Sequence, residues 1–225
     1  MHIGLIGGIG PAATVAYYTR LVAEFKKAGM PLEITIVHAE IATLAANAGA
    51  DKRAEQAAVF AKHLHQLKGA GCDIATITAL TGHFCFDETN QLSPLPLINA
   101  IDLVDNYCKS QNIEILGLLG SPPVLTTHLF GLLRAPQTVV PANNVNELGN
   151  TYMEIANAGF CTEENRQKLF AAGAAMMKDQ NAEAILLAGT DLGLAFNDHD
   201  PGYRVVDALE IHVAALVGMA AAEQR

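Results

Sequence analysis

Two stretches of the sequence end in residues that could do chemistry, and both follow one pattern. Residues 73–84 and residues 182–193 each have an acidic residue at or next to their start, Asp73 and Glu183, and then run through mostly apolar residues to a small residue that polar residues follow. This pattern is typical of a buried parallel strand that opens into a loop at its carboxyl end. Open α/β sheets bind ligands at such loops, so we expect a site there with four polar candidates: Thr81, His83, Thr190 and Asp191.

The four side chains allow different kinds of chemistry. The imidazole of His83, with an ordinary pKa of about 6.5, could act as a general base or as a supporting hydrogen-bonding group. Asp191 could serve as an acid/base group on the other side of a ligand, or it could cap a helix that starts there. The hydroxyls of Thr81 and Thr190 are suited to orienting a ligand.

A second pair of segments, residues 3–11 and 116–123, repeats in the same way and ends in glycines or in Ser121. The glycine loop does not follow the G-x-G-x-x-G pattern, His38 stands where an acidic residue would end the second strand, and no Walker lysine is present. Dinucleotide binding is therefore not predicted. Two interpretations stay open: a tight turn that needs small residues, or backbone N–H groups at a helix start that bind a small carboxylate. The second makes Gly8, Ile9, Gly10 and Ser121 binding candidates.

Composition narrows the class of partner. The chain has 225 residues, of which 51% are hydrophobic and 16% charged, and its net charge of −9 argues against nucleic acid or an anionic membrane as a partner. No apolar run of about 18 residues predicts a membrane helix. The first residues are typical of a strand and not of a signal peptide, so we expect a cytoplasmic protein.

The cysteines and histidines do not form a metal-binding pattern. No two cysteines are spaced as C-x-x-C, and the histidines show no ligand grouping. His199, flanked by acids, is expected in a solvated loop. We predict no metal and free thiols at four positions: Cys72, Cys85, Cys108 and Cys161.

Strands alternate with helices of ten or more residues, which predicts an α/β fold with mostly parallel sheets flanked by helices. The duplication predicts two pseudosymmetric subdomains, residues 1–99 and 100–206, with the site in the cleft between them and a C-terminal helix, about 207–225, packing back on the first. Segment 39–50 is predicted as a loop or a helix break. Strands are predicted at 2–7, 33–38, 73–78, 95–98, 114–119, 138–140, 184–188 and 203–206, and the other helices at 12–28, 51–68, 100–110, 121–133, 146–158 and 163–180.

The arrangement resembles the aspartate/glutamate racemase superfamily over nearly the whole chain. The segments that carry the resemblance are residues 3–11, 39–41, 81–83, Ser121, 152–155 and 189–192. The resemblance implies two α/β subdomains, a homodimer, no cofactor, and a small amino acid as substrate. It also implies proton movement at the α-carbon by two cysteines, one removing the proton and the other returning it from the opposite face.

This sequence departs from the family at both cysteine positions. By the resemblance, Ala79 and Gly189 stand where the two cysteines would be, and Leu80 replaces an asparagine. A methyl group and a hydrogen cannot exchange protons. Leu44 and Ala156 stand near the positions of the family's cationic anchors. We expect the floor of the cleft to be wider and less polar than that of a site with two cysteines. We also expect the Ala79→Cys, Gly189→Cys double variant to fold and to gain at most weak racemisation.

Two functions follow from this pattern. In the first, the protein binds a small amino acid or carboxylate and has lost two-cysteine racemisation, with Cys85 a packing residue and not a displaced catalyst. In the second, it is an isomerase or lyase that uses His83 and Asp191 in place of thiols. Glu40, at the end of the second strand, could line the cleft or be solvated.

Overall fold

The computed structural model describes residues 1–8 and 11–223 and divides the chain into two compact units. The first unit is Met1–Ala100 with the C-terminal segment from Leu209, and the second unit is Ile101–Ala208. Within the described ranges, no helix is long and apolar enough to cross a membrane.

The elements of the first unit alternate between strand and helix. In chain order they are β1 (His2–Gly7), α1 (Pro11–Lys27), β2 (Glu33–His38), α2 (Ile41–Gly49), α3 (Arg53–Gly69), β3 (Ile74–Ile77), a 3₁₀ helix (Leu80–Cys85), α4 (Phe86–Leu92) and β4 (Leu97–Ile98).

The second unit repeats this alternation, and the chain ends in a long helix of the first unit. The elements are α5 (Ala100–Ser110), β5 (Ile115–Leu119), α6 (Pro122–Thr127), a 3₁₀ turn (Leu129–Gly131), β6 (Gln137–Val139), α7 (Val145–Ala158), α8 (Glu163–Asp179), β7 (Ala184–Leu187), a 3₁₀ turn (Thr190–Leu192), α9 (Gly193–Phe196), β8 (Val205–Asp207) and α10 (Ala208–Glu223).

Both units contain a four-stranded parallel sheet with the same strand order. The order is β2-β1-β3-β4 in the first unit and β6-β5-β7-β8 in the second, and each pair of neighbours is parallel. The third strand is fully buried in both sheets, over Ile74–Ile77 and over Ala184–Leu187. The predicted α/β class, with two pseudosymmetric halves and parallel sheets flanked by helices, is confirmed.

In the first unit, helices cover both faces of the sheet. One face is covered by α1 and α10, whose apolar side chains pack on Ile3 and Leu5 of β1. On the other face α3 comes close to β1, since a β-carbon on Gly4 would lie 2.8 Å from a methyl group of Leu67. This core cluster contains Ile3, Leu5, Tyr17, Leu21, Phe25, Ile74, Leu209, Val213, Leu216 and Ala220.

In the second unit, α7, α8 and α9 contribute to one buried cluster with β5 and β7. Its members are Leu119, Leu125, Leu148, Ile155, Leu169, Met176, Ala182, Ile185, Leu187, Leu192, Ala195 and Phe196. Tyr152 of α7 packs at the margin of this cluster, as a partly buried side chain. The apolar residues of α7 thus bring this helix against the carboxyl end of β7.

Segment 39–50 is predicted as a loop or a helix break. The loop alternative is wrong because residues 41–49 form α2, whereas a helix break does follow Gly49, before α3 begins at Arg53. The carboxylate of Glu40 accepts hydrogen bonds from the N–H groups of Ala42 (2.9 Å) and Thr43 (2.7 Å) and so caps the helix. Leu44 and Ala48 of α2 are buried. Capping and burial together stabilise a short alanine-rich helix that the composition alone did not indicate.

The predicted helix 121–133 is also wrong in its extent, because α6 ends at Thr127. The hydroxyls of Thr126 and Thr127 donate to the carbonyls of Pro122 (2.9 Å) and Pro123 (2.6 Å), and the Thr127 hydroxyl accepts from the N–H of Phe130 (2.7 Å). The next residue, His128, has left-handed dihedrals (φ 51°, ψ 50°). Threonine hydroxyls that bond to nearby backbone compete with helix continuation.

Candidate functional site

The strand order places the predicted residues of each unit at one edge of its sheet. In the order β2-β1-β3-β4, the chain leaves β1 for one side of the sheet and comes back to add β3 on the other side, and β5 and β7 do the same. Ligands of open α/β sheets bind outside the carboxyl ends of strands at this switch point. In each unit, the loops after the first and third strands are therefore the candidate site.

In the first unit, Ala79 follows β3 and begins the 3₁₀ helix Leu80–Cys85, with extended dihedrals (φ −146°, ψ 129°). Thr81 is half-buried in that helix. Gly8 follows β1 with a φ of 133°, and a β-carbon on it would lie 2.8 Å from the carbonyl carbon of Ala39. Only glycine tolerates this turn and this close backbone approach, which favours the tight-turn interpretation for Gly8. The other two candidates in this loop, Ile9 and Gly10, lie outside the described residues.

His83 is a buried structural histidine. Its Nδ1–H donates to the carbonyl of Ala79 (3.0 Å), and its Nε2 accepts from the N–H of Ala100 (3.1 Å). The ring stacks on Phe86 at 5.7 Å between centroids, and burial lowers the pKa of His83 to about 4. Both ring nitrogens are engaged by backbone groups, so the imidazole is neutral and holds Ala79 in place. This geometry favours the supporting role over the general-base role.

In the second unit, Gly189 occupies the position equivalent to Ala79. It follows β7, begins the 3₁₀ turn Thr190–Leu192, and has nearly the same dihedrals (φ −157°, ψ 126°). The space next to it is filled by Tyr152 of α7, because a β-carbon on Gly189 would lie 2.7 Å from both Cζ and Oη of that tyrosine. At this strand end the expectation of a wider and less polar floor is wrong: a phenol replaces the missing side chain.

Tyr152 and Asp191 form a hydrogen-bonded pair. The phenol of Tyr152 donates to Oδ2 of Asp191 at 2.8 Å, and Asp191 is only 3% exposed. Over the described residues, the other carboxylate oxygen, Oδ1, is buried with no hydrogen-bond partner. Burial raises the pKa of Asp191, and burial together with the neighbouring carboxylate raises the pKa of Tyr152 well above its usual value. Asp191 does not cap the helical turn in which it lies.

The other two candidates of the second unit lie at the same strand ends. Ser121 precedes α6 with extended dihedrals (φ −65°, ψ 162°) and is half-buried, and Thr190 is half-buried directly after Gly189. The ends of β5 and β7 are close, because a β-carbon on Gly120 would lie 3.2 Å from the carbonyl oxygen of Ala188. The structure therefore brings Ser121 to the strand ends that carry Gly189, Thr190 and the Tyr152–Asp191 pair.

None of the four cysteines has the features of an activated thiol. Cys85 is buried at the end of the 3₁₀ helix, its sulfur lies 3.5 Å from the hydroxyl of Thr89, and burial raises its pKa to about 11. Burial also raises the pKa of Cys108 to about 11 and raises those of Cys72 and Cys161. Reactive cysteines have lowered pKa values, so none of these thiols is activated as a catalytic thiolate at neutral pH. For Cys85 this favours the packing role.

Three further positions have structural roles or lie in solvated segments. Glu40 is exposed, and the hydrogen bonds that its carboxylate accepts from the N–H groups of Ala42 and Thr43 lower its pKa. Leu44, which is expected near a cationic anchor from the resemblance alone, is buried in the first unit. His199 is exposed and its Nδ1–H donates to the carbonyl of Asn197 (2.8 Å). No group of metal-ligating side chains occurs in the part of the chain that the structure describes.

Sequence reasoning missed the role of Tyr152. In the sequence, segment 152–155 stands out only as one of the segments that carry the resemblance to the racemase superfamily. The available signal was weak: Leu148, Thr151 and Ile155 mark the buried face of α7, and Tyr152 lies beside that face. Nothing in the spacing showed that this ring covers a glycine in another segment of the chain.

The comparisons with known proteins agree with this architecture. A model of the Asp/Glu/Hydantoin racemase family matches residues 6–216. The chain is similar in structure to an aspartate racemase homologue from Pyrococcus horikoshii OT3, with 22% identity, a TM-score of 0.80, and coverage of 98% of this chain and 99% of that chain. It is similar to a putative Asp/Glu racemase from Yersinia pestis, with 22% identity, a TM-score of 0.82, and coverage of 98% of this chain and 99% of that chain. It is also similar to an aspartate racemase of Picrophilus torridus, with 21% identity, a TM-score of 0.78, and coverage of 98% of this chain and 95% of that chain.

At these identities the solved structures show a shared fold. A comparison with curated protein sequences finds no match. The family assignment rests on the match of the family model, which covers nearly the whole sequence, and on the duplicated parallel sheets whose third strands end at Ala79 and Gly189. The chain therefore belongs to the Asp/Glu/hydantoin racemase family.

Proposed function

We propose that this member of the racemase family binds a small amino acid or carboxylate at its strand ends and does not racemise it by the two-thiol mechanism. The observation that carries the proposal is the pair Ala79 and Gly189. They occupy equivalent positions after the third strand of each sheet, with matching extended dihedrals and a 3₁₀ helix following each. Neither residue has a group that can carry a proton.

The thiols elsewhere in the chain do not compensate for this loss. Cys85, the nearest in sequence to Ala79, is buried and hydrogen-bonded to Gly82 of its own helix and to Thr89 of α4, and burial raises its pKa to about 11. At neutral pH about one part in 10⁴ of such a thiol is ionised, too little for efficient proton abstraction.

Ligand-binding groups are still present at the strand ends. We propose that the hydroxyls of Thr81, Ser121 and Thr190 orient the ligand, since hydroxyls both donate and accept hydrogen bonds. We further expect a cofactor-free cytoplasmic homodimer with no nucleic-acid or membrane partner. The net charge of −9 supports the absence of polyanionic partners.

The experiment combines binding with proton exchange. The twenty common amino acids, both enantiomers, and simple carboxylates are tested for binding by calorimetry and for α-proton exchange in D₂O by NMR. We expect at least one ligand to bind without enzymatic exchange. Ser121→Ala should weaken this binding. Ser110→Ala, whose exposed hydroxyl donates to the carbonyl of Tyr107 in its own helix, should not change it. Deuterium incorporation at enzymatic rates would contradict the proposal.

A second candidate function, an isomerase or lyase with non-cysteine acid/base groups, is favoured at one position only. Asp191 is a buried carboxyl with a raised pKa, as catalytic acids often are. His83, the other candidate, has both nitrogens engaged. If a reaction is found, activity and its pH profile measured in Asp191→Asn and in His83→Ala show which of the two residues is the acid/base group. We expect Asp191→Asn to lose the activity. An activity unchanged in Asp191→Asn would remove this candidate.

A further inference from the structure

We propose that the Tyr152–Asp191 pair is a subsite for the ammonium group of an amino-acid ligand. This inference rests on the proposed function and sharpens it, because it selects amino acids over carboxylates that lack an amine. It is carried by three observations in the second unit: the hydrogen-bond direction of the phenol, the incompletely satisfied carboxylate behind it, and the position of both beside Gly189.

The first observation is the direction of the hydrogen bond. A phenol has one proton, and Tyr152 donates it to Oδ2 of Asp191. The oxygen of Tyr152 can then act toward a ligand only as an acceptor. Burial and the neighbouring carboxylate raise the pKa of the phenol, so its oxygen stays neutral, and the carboxylate places that oxygen in a negative potential. Such an oxygen selects a positively charged donor.

The second observation is that the carboxylate of Asp191 has no cationic partner among the described residues. Oδ1 is buried without a hydrogen-bond partner, and among the described residues no salt bridge includes Asp191. The arginine of α8, Arg166, pairs with Glu163 and donates to the carbonyl of Ala195. A buried charge without a partner is unfavourable, so a ligand cation next to the phenol would relieve it.

The third observation is the position of the pair. The phenol oxygen lies 2.7 Å from where a side chain on Gly189 would begin. It therefore occupies the place from which a side chain after β7 would face a ligand at the strand ends. Thr190 follows immediately, and Ser121 lies at the neighbouring strand end of the same unit.

The test uses three probes that differ by one group each: alanine, propionate, which lacks the ammonium group, and ethylammonium, which lacks the carboxylate. The protein carries ¹³C-labelled tyrosine rings, and the chain has only five tyrosines. The signal of Tyr152 is assigned by its absence in Tyr152→Phe. We expect alanine and ethylammonium, but not propionate, to shift this signal, and alanine to bind at least about tenfold more tightly than propionate.

Two variants remove the proposed subsite in different ways. Tyr152→Phe keeps the ring and removes the acceptor, and Asp191→Asn keeps the shape and removes the charge. In each, the preference for alanine over propionate should fall to about onefold, with folding checked by thermal melting. A control, Tyr203→Phe, changes another partly buried tyrosine of this unit, which donates to the carbonyl of Phe170, and should keep the preference.

Outcomes for the two proposals are separable. If ethylammonium and alanine leave the Tyr152 signal unmoved, or if both variants keep the preference, the ammonium subsite is overturned even when propionate binds. If the Tyr152 signal responds to ethylammonium while no amino acid or carboxylate binds, the subsite stands as an amine site and the proposed function fails.

Discussion

Gly189→Ala tests whether Tyr152 has taken the space of a side chain at the end of β7. The backbone of Gly189 is extended, with a φ of −157°, so alanine is not strained by its dihedrals. The added methyl group would lie 2.7 Å from Cζ and Oη of Tyr152, which is closer than carbon atoms approach. Either the tyrosine or the strand end must move.

The expected cost follows from what that movement breaks. Moving Tyr152 removes its hydrogen bond to the buried carboxylate of Asp191, which costs about 1.5–3 kcal/mol. Overpacking adds about 1–3 kcal/mol. Replacing glycine by alanine lowers the entropy of the unfolded chain and offsets about 0.4–1 kcal/mol. We therefore expect Gly189→Ala to lower the free energy of unfolding by about 2–5 kcal/mol.

The assay is a double-mutant cycle by urea unfolding. In the Tyr152→Ala background the ring is absent, so Gly189→Ala should leave the free energy of unfolding unchanged or raise it by up to about 1 kcal/mol. The two changes should therefore be strongly non-additive. The control is Gly218→Ala in α10, where a β-carbon meets no atom within 4 Å. There, alanine should stabilise by up to about 1 kcal/mol. Additive free energies in the cycle would refute the reasoning.

Three further predictions concern the cysteine variants at the strand ends, the buried histidines and the native thiols. The Ala79→Cys, Gly189→Cys double variant should unfold at lower urea than Ala79→Cys alone. In the Tyr152→Ala background this difference in urea midpoint should disappear. His83 and His212 are buried with pKa values of about 4 and about 3, so below about pH 6.5 the unfolded chain takes up protons that the native state does not. The free energy of unfolding should therefore fall by up to about 1.4 kcal/mol per pH unit per histidine as pH is lowered toward 4.5. His212→Gln, which removes the imidazole that faces Tyr17, Thr76 and His83, should abolish the share of His212 in this pH dependence. Titration of the native protein with a thiol reagent should modify Cys161 fast and the buried Cys72, Cys85 and Cys108 only on unfolding; fast labelling of Cys85 would contradict its packing role.

Much of the fold could be predicted because it depends on local pattern. The apolar runs 73–78 and 184–188 contain β3 and β7, and glycine and proline mark the ends of several helices. The errors have physical causes. α2 is stabilised by the Glu40 cap and by burial of Leu44, and α6 ends early because Thr126 and Thr127 bond to their own backbone. These are side-chain interactions that periodicity does not record.

The sequence by itself determined the duplicated strand ends and the absence of thiols at Ala79 and Gly189, since both follow from residue type and order along the chain. The tertiary structure alone decided what those positions do. The packing of α7 on the end of β7 places Tyr152 over Gly189 and against Asp191, and the packing around β3 gives both nitrogens of His83 to backbone groups. These partners come from separate segments, and only the packed core sets the distance between them.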